Sequence, residues 1–129
     1  MRTVLCVDDD ADDREMVSDA IRKIDPSVNI VHAEDGKVAL DYLSNVKSND
    51  ELPCLVIMDI NMPKMDGKEA LAHIKKDSRF NELPVVILST SGNAIDKLYC
   101  NNYGVQFITK PYSFSRLRNE IESVLRHCA

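Results

Sequence analysis

Short runs of apolar, β-prone residues recur along the chain at positions 3–7, 28–33, 55–58, 85–88 and 105–108. Each is nearly continuous rather than alternating, the pattern of a strand buried on both faces. A helical spacing of apolar residues follows each run. Met16, Val17, Ala20, Ile21 and Ile24 share one face, and Val38, Ala39, Tyr42, Leu43 and Val46 repeat the spacing. Ala70, Leu71 and Ile74 form a third stripe, and Phe114, Leu117, Ile121, Val124 and Leu125 a last one. The fourth helix, about 94–103, is the least marked: Ile95, Leu98 and Tyr99 share a face among polar neighbours. Weak amphipathicity marks it as the loosest or the partner-facing helix.

Strand followed by helix, repeated along the chain, predicts a doubly wound α/β fold with a parallel sheet covered on both faces. Such sheets bind ligands beyond the carboxyl ends of their strands, where the winding reverses. Right-handed crossovers bring the strand ends to one rim. Chemistry is therefore expected at 8–10, 59–63, 89–91 and 109–111.

The chain has 129 residues, 44% of them hydrophobic and 29% charged. That composition predicts one globular domain, 1–129, with a core sufficient for folding without a metal. No apolar stretch approaches the roughly 20 residues that span a bilayer, and the N-terminus lacks a basic segment followed by an apolar one. A cytoplasmic protein that does not act at a membrane is expected. Cys6, Cys54, Cys100 and Cys128 lie far apart without metal-ligand spacing, which predicts reduced thiols rather than disulfides. Residues 1–64 hold 7 Lys/Arg against 14 Asp/Glu, whereas 65–129 hold 9 against 7. The acidic half argues against direct nucleic-acid binding and for a cation site.

The densest charge is "CVDDDADDRE", with six carboxylates between Asp8 and Glu15 directly after the first strand. Acids are favoured in the first turn of a helix, and Asp10 as N-cap with Asp13 in capping-box spacing accounts for Asp10, Asp12, Asp13 and Glu15. Asp8 and Asp9 precede the cap and repel one another unless a cation intervenes. The third strand ends "LVIMDINMPKMDG" and delivers Asp59 to the same rim, while Asp66 and Gly67 read as the turn into the third helix. Carboxylates without His or thiolate suit a hard cation such as Mg²⁺ and, with it, phosphoryl chemistry. "VVILSTSG" adds the hydroxyls of Ser89, Thr90 and Ser91, and "FITKPY" places Lys110 opposite the acids, before a Pro111 whose peptide bond is free to be cis.

"VDDD", "MDINMPKMDG", "ILSTS" and "FITKP", in that order and spread over the whole chain, resemble the receiver domains of bacterial two-component response regulators. The resemblance implies a flavodoxin-like fold with strand order 2-1-3-4-5. It implies that Asp59 accepts a phosphoryl group from the phosphohistidine of a histidine kinase or phosphotransfer protein, the chain catalysing its own phosphorylation and dephosphorylation rather than acting as a conventional enzyme. Asp8, Asp9, Asp59 and the backbone carbonyl of Asn61 would hold Mg²⁺. Ser89 would close on the phosphoryl group, with Thr90 adjoining it, and Lys110 would pair with that group. Phe107 falls at the aromatic switch position, against its ordinary reading as a core residue. Asn61 and Ser91 would flank the attack path. The long segment 44–53, "SNVKSNDELP", together with "LSTSG" resembles stand-alone receivers that partner phytochrome-type kinases.

A flavodoxin-like flavin binder shares the fold but needs a phosphate cradle where this chain has acids. A dehalogenase-type phosphatase needs a second Asp where this chain has Asn61. A degenerate receiver acting only as a binding module is the remaining alternative. No output domain is expected, so output passes to a downstream protein; the family resemblance implies the surface of the fourth helix, fifth strand and fifth helix for it, and a homodimer is the other partner the reading allows. Lys97, Tyr99, Arg116 and Arg118 are candidates there. Among the six acids the expected division falls after Asp9: neutralising any later one should spare phosphorylation.

Overall fold

The structure, a computed structural model, describes residues 2–90 and 92–128. Ser91 lies outside the described residues. The elements run β1 (Thr3–Val7), α1 (Ala11–Ile24), β2 (Asn29–Ala33), α2 (Gly36–Ser44), β3 (Leu55–Met58), α3 (Gly67–Lys76), β4 (Val85–Ser89), α4 (Ala94–Asn102), β5 (Gln106–Thr109) and α5 (Phe114–Leu125). The long segment before β3 contains a 3₁₀ turn, Asn49–Glu51, and a second such turn, Arg126–Cys128, follows α5.

A polar cap starts every described α-helix. Asp10, Asp35, Asp66, Asn93 and Ser113 each accept backbone N–H groups of the first turn, which pins each helix start just past a strand end or loop. The strands form a parallel sheet of order β2-β1-β3-β4-β5, the doubly wound arrangement expected. On one face α1 and α5 pack Val17, Ala20, Ile21, Leu117, Ile121 and Val124 against Val4, Cys6, Ile57 and Val86. On the other, Ala39, Leu43, Ala70, Leu71 and Ile74 pack against Leu5, Val7, Val56, Met58 and Ile87. Strand register then sets the site: Val7 pairs with both Ala33 and Met58. Asp8 and Asp59 are the next residues of adjacent strands and emerge side by side.

The weakly marked α4 exposes Ile95 and Leu98, at 75% and 61%. α4 is seated instead by Cys100, Tyr99 and the buried Asp96, whose carboxylate accepts from Lys68 of α3 at 2.9 Å. Tyr99 is accordingly half-buried, its hydroxyl donating to the Lys68 carbonyl at 2.8 Å. The helix is thus latched by polar contacts, which periodicity of apolar residues does not register. One expectation needs correction, that of the thiols: Cys54 and Cys128 form a disulfide, while Cys6 and Cys100 are free and buried. The reason is topological, because α5 returns the chain along the sheet and brings Cys128 within 5.1 Å, Cα to Cα, of the residue preceding β3. The Lys110–Pro111 bond is trans, as no cis peptide bond occurs among the described residues.

Candidate functional site: an acidic rim around one lysine

Asp8 and Asp59 are buried at the rim, 7% and 8% exposed. Their backbones continue the sheet: Asp8 N–H donates to the Ala33 carbonyl at 3.1 Å and Asp59 N–H to the Val7 carbonyl at 3.0 Å. Asp59 Oδ1 accepts from Ile60 N–H at 2.7 Å, which fixes the carboxylate plane. α3 begins hard against this strand end. A Cβ on Gly67 would collide with the Asp59 carbonyl oxygen and come within 2.8 Å of Ile60 Cα, so only glycine permits that approach.

Lys110 reaches in from β5, whose end is tied to β4 by Lys110 N–H donating to the Ser89 carbonyl at 2.8 Å. Its ammonium donates to Asp8 Oδ2 at 2.8 Å, Asp13 Oδ2 at 2.8 Å and Asp59 Oδ2 at 3.3 Å. Three donors meet three carboxylates, so the amine is saturated. Burial alone would lower its pKa, but hydrogen bonds to Asp13 and Asp8 and the charge of Asp59 outweigh that and hold it above the ordinary value. Asp8 is held above the usual carboxylate range, chiefly by burial, with the Lys110 and Asp10 N–H hydrogen bonds opposing.

Asp9 is exposed beside them, and carboxylate oxygens of Asp8, Asp9 and Asp59 lie within 4.8 Å of one another. An all-oxygen, acid-rich set of this kind fits a hard divalent cation, and one lysine leaves it short of positive charge. Asn61 is exposed in the loop after Asp59. Ser89 is fully buried as the last residue of β4, whereas Thr90 is exposed and lines a 120 Å³ cavity with Lys110. Phe107 is half-buried in β5 and packs against the α2–α3–α4 side of the core. Asp8, Asp9, Asp59 and Lys110 are thus brought together, and Ser89 and Asn61 follow or precede them on adjoining strand ends and loops.

The sequence reading missed Asp13. Asp10 caps α1 as expected, accepting from Asp12 and Asp13 N–H at 2.9 and 3.2 Å. The reciprocal half of a capping box is absent: Asp10 N–H goes to Asp8 Oδ1 at 3.0 Å, and the Asp13 carboxylate goes to Lys110. Capping-box spacing gave the carboxylate a local explanation, while its partner lies 97 positions away.

This fold and rim define a class: a doubly wound α/β protein whose strand ends gather carboxylates and one lysine. The chain matches the response regulator receiver domain over residues 4–122. It belongs to that family. A probable methanogenesis regulatory protein, FilR2 of Methanothrix harundinacea, is 33% identical over 94% of this chain and 79% of its own length. The phosphorylated cyanobacterial phytochrome response regulator RcpA is 30% identical, with a TM-score of 0.86 over 98% of this chain and 93% of its own. The Mn²⁺-bound form of response regulator Rcp1 is 27% identical, with a TM-score of 0.85 over 97% and 92%. The chain spans 45% or less of several larger curated relatives. No helix among the described residues is long and apolar enough to cross a membrane.

Proposed function

We propose that this receiver is a phosphoacceptor of a two-component or phosphorelay pathway, with Asp59 as the accepting residue. The observation that carries the reading is the geometry at Asp59: a buried carboxylate with one oxygen fixed by Ile60 N–H and the other facing Lys110, beside two further acids. Phosphoryl transfer asks of a protein mainly positioning and charge neutralisation. A carboxylate oxygen of Asp59 attacks the phosphorus of a donor phosphohistidine; the P–N bond breaks as the O–P bond forms, and the imidazole departs. Lys110 counters the charge on the transferring oxygens, and Ser89 closes on them from the end of β4, with Thr90 beside it.

Asp8, Asp9, Asp59 and the Asn61 carbonyl would hold Mg²⁺, which when bound neutralises the acids and the phosphoryl oxygens. The Mn²⁺-bound relative supports a divalent cation. The acyl phosphate adds about −1.5 to −2 of charge, by analogy with other phosphorylated side chains, beside Ser89 and Lys110. Ser89 ends β4 and Phe107 lies on the neighbouring β5 opposite Ile87, two residues back, which supports a relay toward α4, β5 and α5 and a change in affinity for a downstream protein, in the cytoplasm. Likeness to RcpA makes a phytochrome-type histidine kinase the first donor class to try.

The test uses Mg²⁺ and a small-molecule phosphodonor, with intact mass as readout. Wild type should gain one phosphoryl group that Asp59→Asn does not. Equal gain by both, or none by wild type, overturns the assignment.

A further inference from the structure

We infer that Asp13 is a positioning residue for Lys110, holding the ammonium on the α1 side of the rim and yielding it to the phosphoryl group. The inference rests on the phosphoacceptor reading above and adds a component outside its metal and phosphoryl ligands. Lys110 is 2.8 Å from Asp13 and Asp8 but 3.3 Å from Asp59. The amine is therefore bound tightly to two acids that do not react and loosely to the one that does. Asp59 Oδ2, engaged only by that longer bond, keeps a lone pair available as nucleophile.

The two tight partners are not equivalent. Asp8 is buried, its side chain 10% exposed, and its Oδ1 also accepts from Asp10 N–H. Releasing the amine there would leave a buried charge poorly compensated, a costly change. Asp13 is 33% exposed on the third residue of α1, so water can take over its hydration. Its bond to Lys110 is the one the site can exchange. Ammonium has three donors and no spare one. A phosphoryl group on Asp59 takes over the loose third donor; when it demands a second, Asp13 is the partner that yields, and α1 loses that tie to the loop after β5. Asp13 thus competes with the phosphoryl group for the same cation.

Competition predicts a direction. Asp13→Asn frees Lys110 and should tighten binding of beryllofluoride, a phosphoryl mimic that docks on Asp59, by about five-fold, the size of a partly exposed ion pair. Asp12→Asn is the control: it removes the same charge one residue away, from an acid on the same helical turn whose side chain has no part in holding Lys110. It should change affinity less than two-fold, roughly the scale of a screened surface charge. Asp13→Glu keeps the carboxylate and should stay close to wild type. Equal tightening by Asp13→Asn and Asp12→Asn overturns the inference and leaves the phosphoacceptor reading intact. No beryllofluoride binding by wild type overturns that reading and, with it, the exchange. A second measurement needs neither metal nor mimic: melting temperatures of Asp13→Asn, Lys110→Met and the double variant. Non-additivity is expected, since Asp13 and Lys110 touch; additive shifts overturn the contact itself.

Discussion

The two ends of the sheet are built on opposite principles. At the amino end, groups are matched: Cys54 N–H donates to the Thr3 carbonyl at 2.8 Å, Cys54 is bonded to Cys128, and Arg2 meets both Asp25, at 2.6 Å, and the Cys128 carbonyl, at 3.2 Å. At the carboxyl end, Asp8, Asp13 and Asp59 crowd around Lys110 with Asp9 beside two of them, an excess of negative charge. One end closes the fold, and the other keeps an electrostatic demand that only a ligand satisfies. Substitutions should accordingly separate: stability should fall with function spared at the amino end, and function should fall with stability spared at the carboxyl end.

The disulfide gives the largest test of that separation. A bridge between residues 74 apart restricts the unfolded chain, and its loss costs typically about 2–4 kcal/mol. Cys54→Ser should lower the denaturation midpoint in non-reducing buffer, and wild type in reductant should fall to meet it. Phosphorylation of Asp59 by a small donor should proceed at the wild-type rate in Cys54→Ser. A change of rate larger than the change in folded fraction would show that the ends communicate.

Cys6 lies between the ends, in β1, and sharpens the comparison. Burial pushes its thiol up to about 12, and the charge of Asp8 two residues on pushes in the same direction. The folded state thus holds a proton that the unfolded chain releases near 9. The stability this contributes is complete below pH 9 and is lost as pH rises toward 12. Between pH 8 and 10 the thiol should remove about 1.4 kcal/mol, one pKa unit's worth. Urea unfolding of wild type and Cys6→Ala at both pH values checks this. Cys6→Ala should be less stable at pH 8 because of the cavity, but should show a shallower decline; parallel declines would place the alkaline sensitivity elsewhere.

Legibility in the sequence followed the same division. Continuous apolar runs and helical stripes carry local periodicity, so the strands, the helices and the rim loops were readable. Asp59 and Asp8 were readable at the rim because each directly follows an apolar run, and Asp9 and Lys110 because each comes one residue later. What escaped were pairings between distant positions: Asp13, which capping already explained locally, Cys54 and Cys128, read as ordinary thiols, and the polar contacts that seat α4. The inward face of that helix is made by Asp96 and Tyr99, polar groups whose burial depends on Lys68 of a different element. Hydrophobic pattern records what leaves water by itself and does not record polar groups that leave it in pairs.

The smallest effect tests the sign of the charge excess. Asp8→Asn is nearly isosteric; the amide oxygen still accepts from Asp10 N–H, and Lys110 keeps Asp13 and Asp59. What disappears is the 2.8 Å bond from Lys110 to Asp8 Oδ2 together with one buried negative charge beside Asp59, a charge that burial already disfavours. In low-salt buffer without divalent cations, the variant should therefore be as stable as wild type or more stable, by about 0.5–1 kcal/mol. Added Mg²⁺ should reverse the order, because binding to the folded state stabilises wild type by mass action and the variant has lost a donor. Differential scanning calorimetry with and without Mg²⁺ measures both arms. If Asp8→Asn is the less stable protein in both buffers, the rim is an ion-pair network built for stability, and the contrast between the two ends of the sheet collapses.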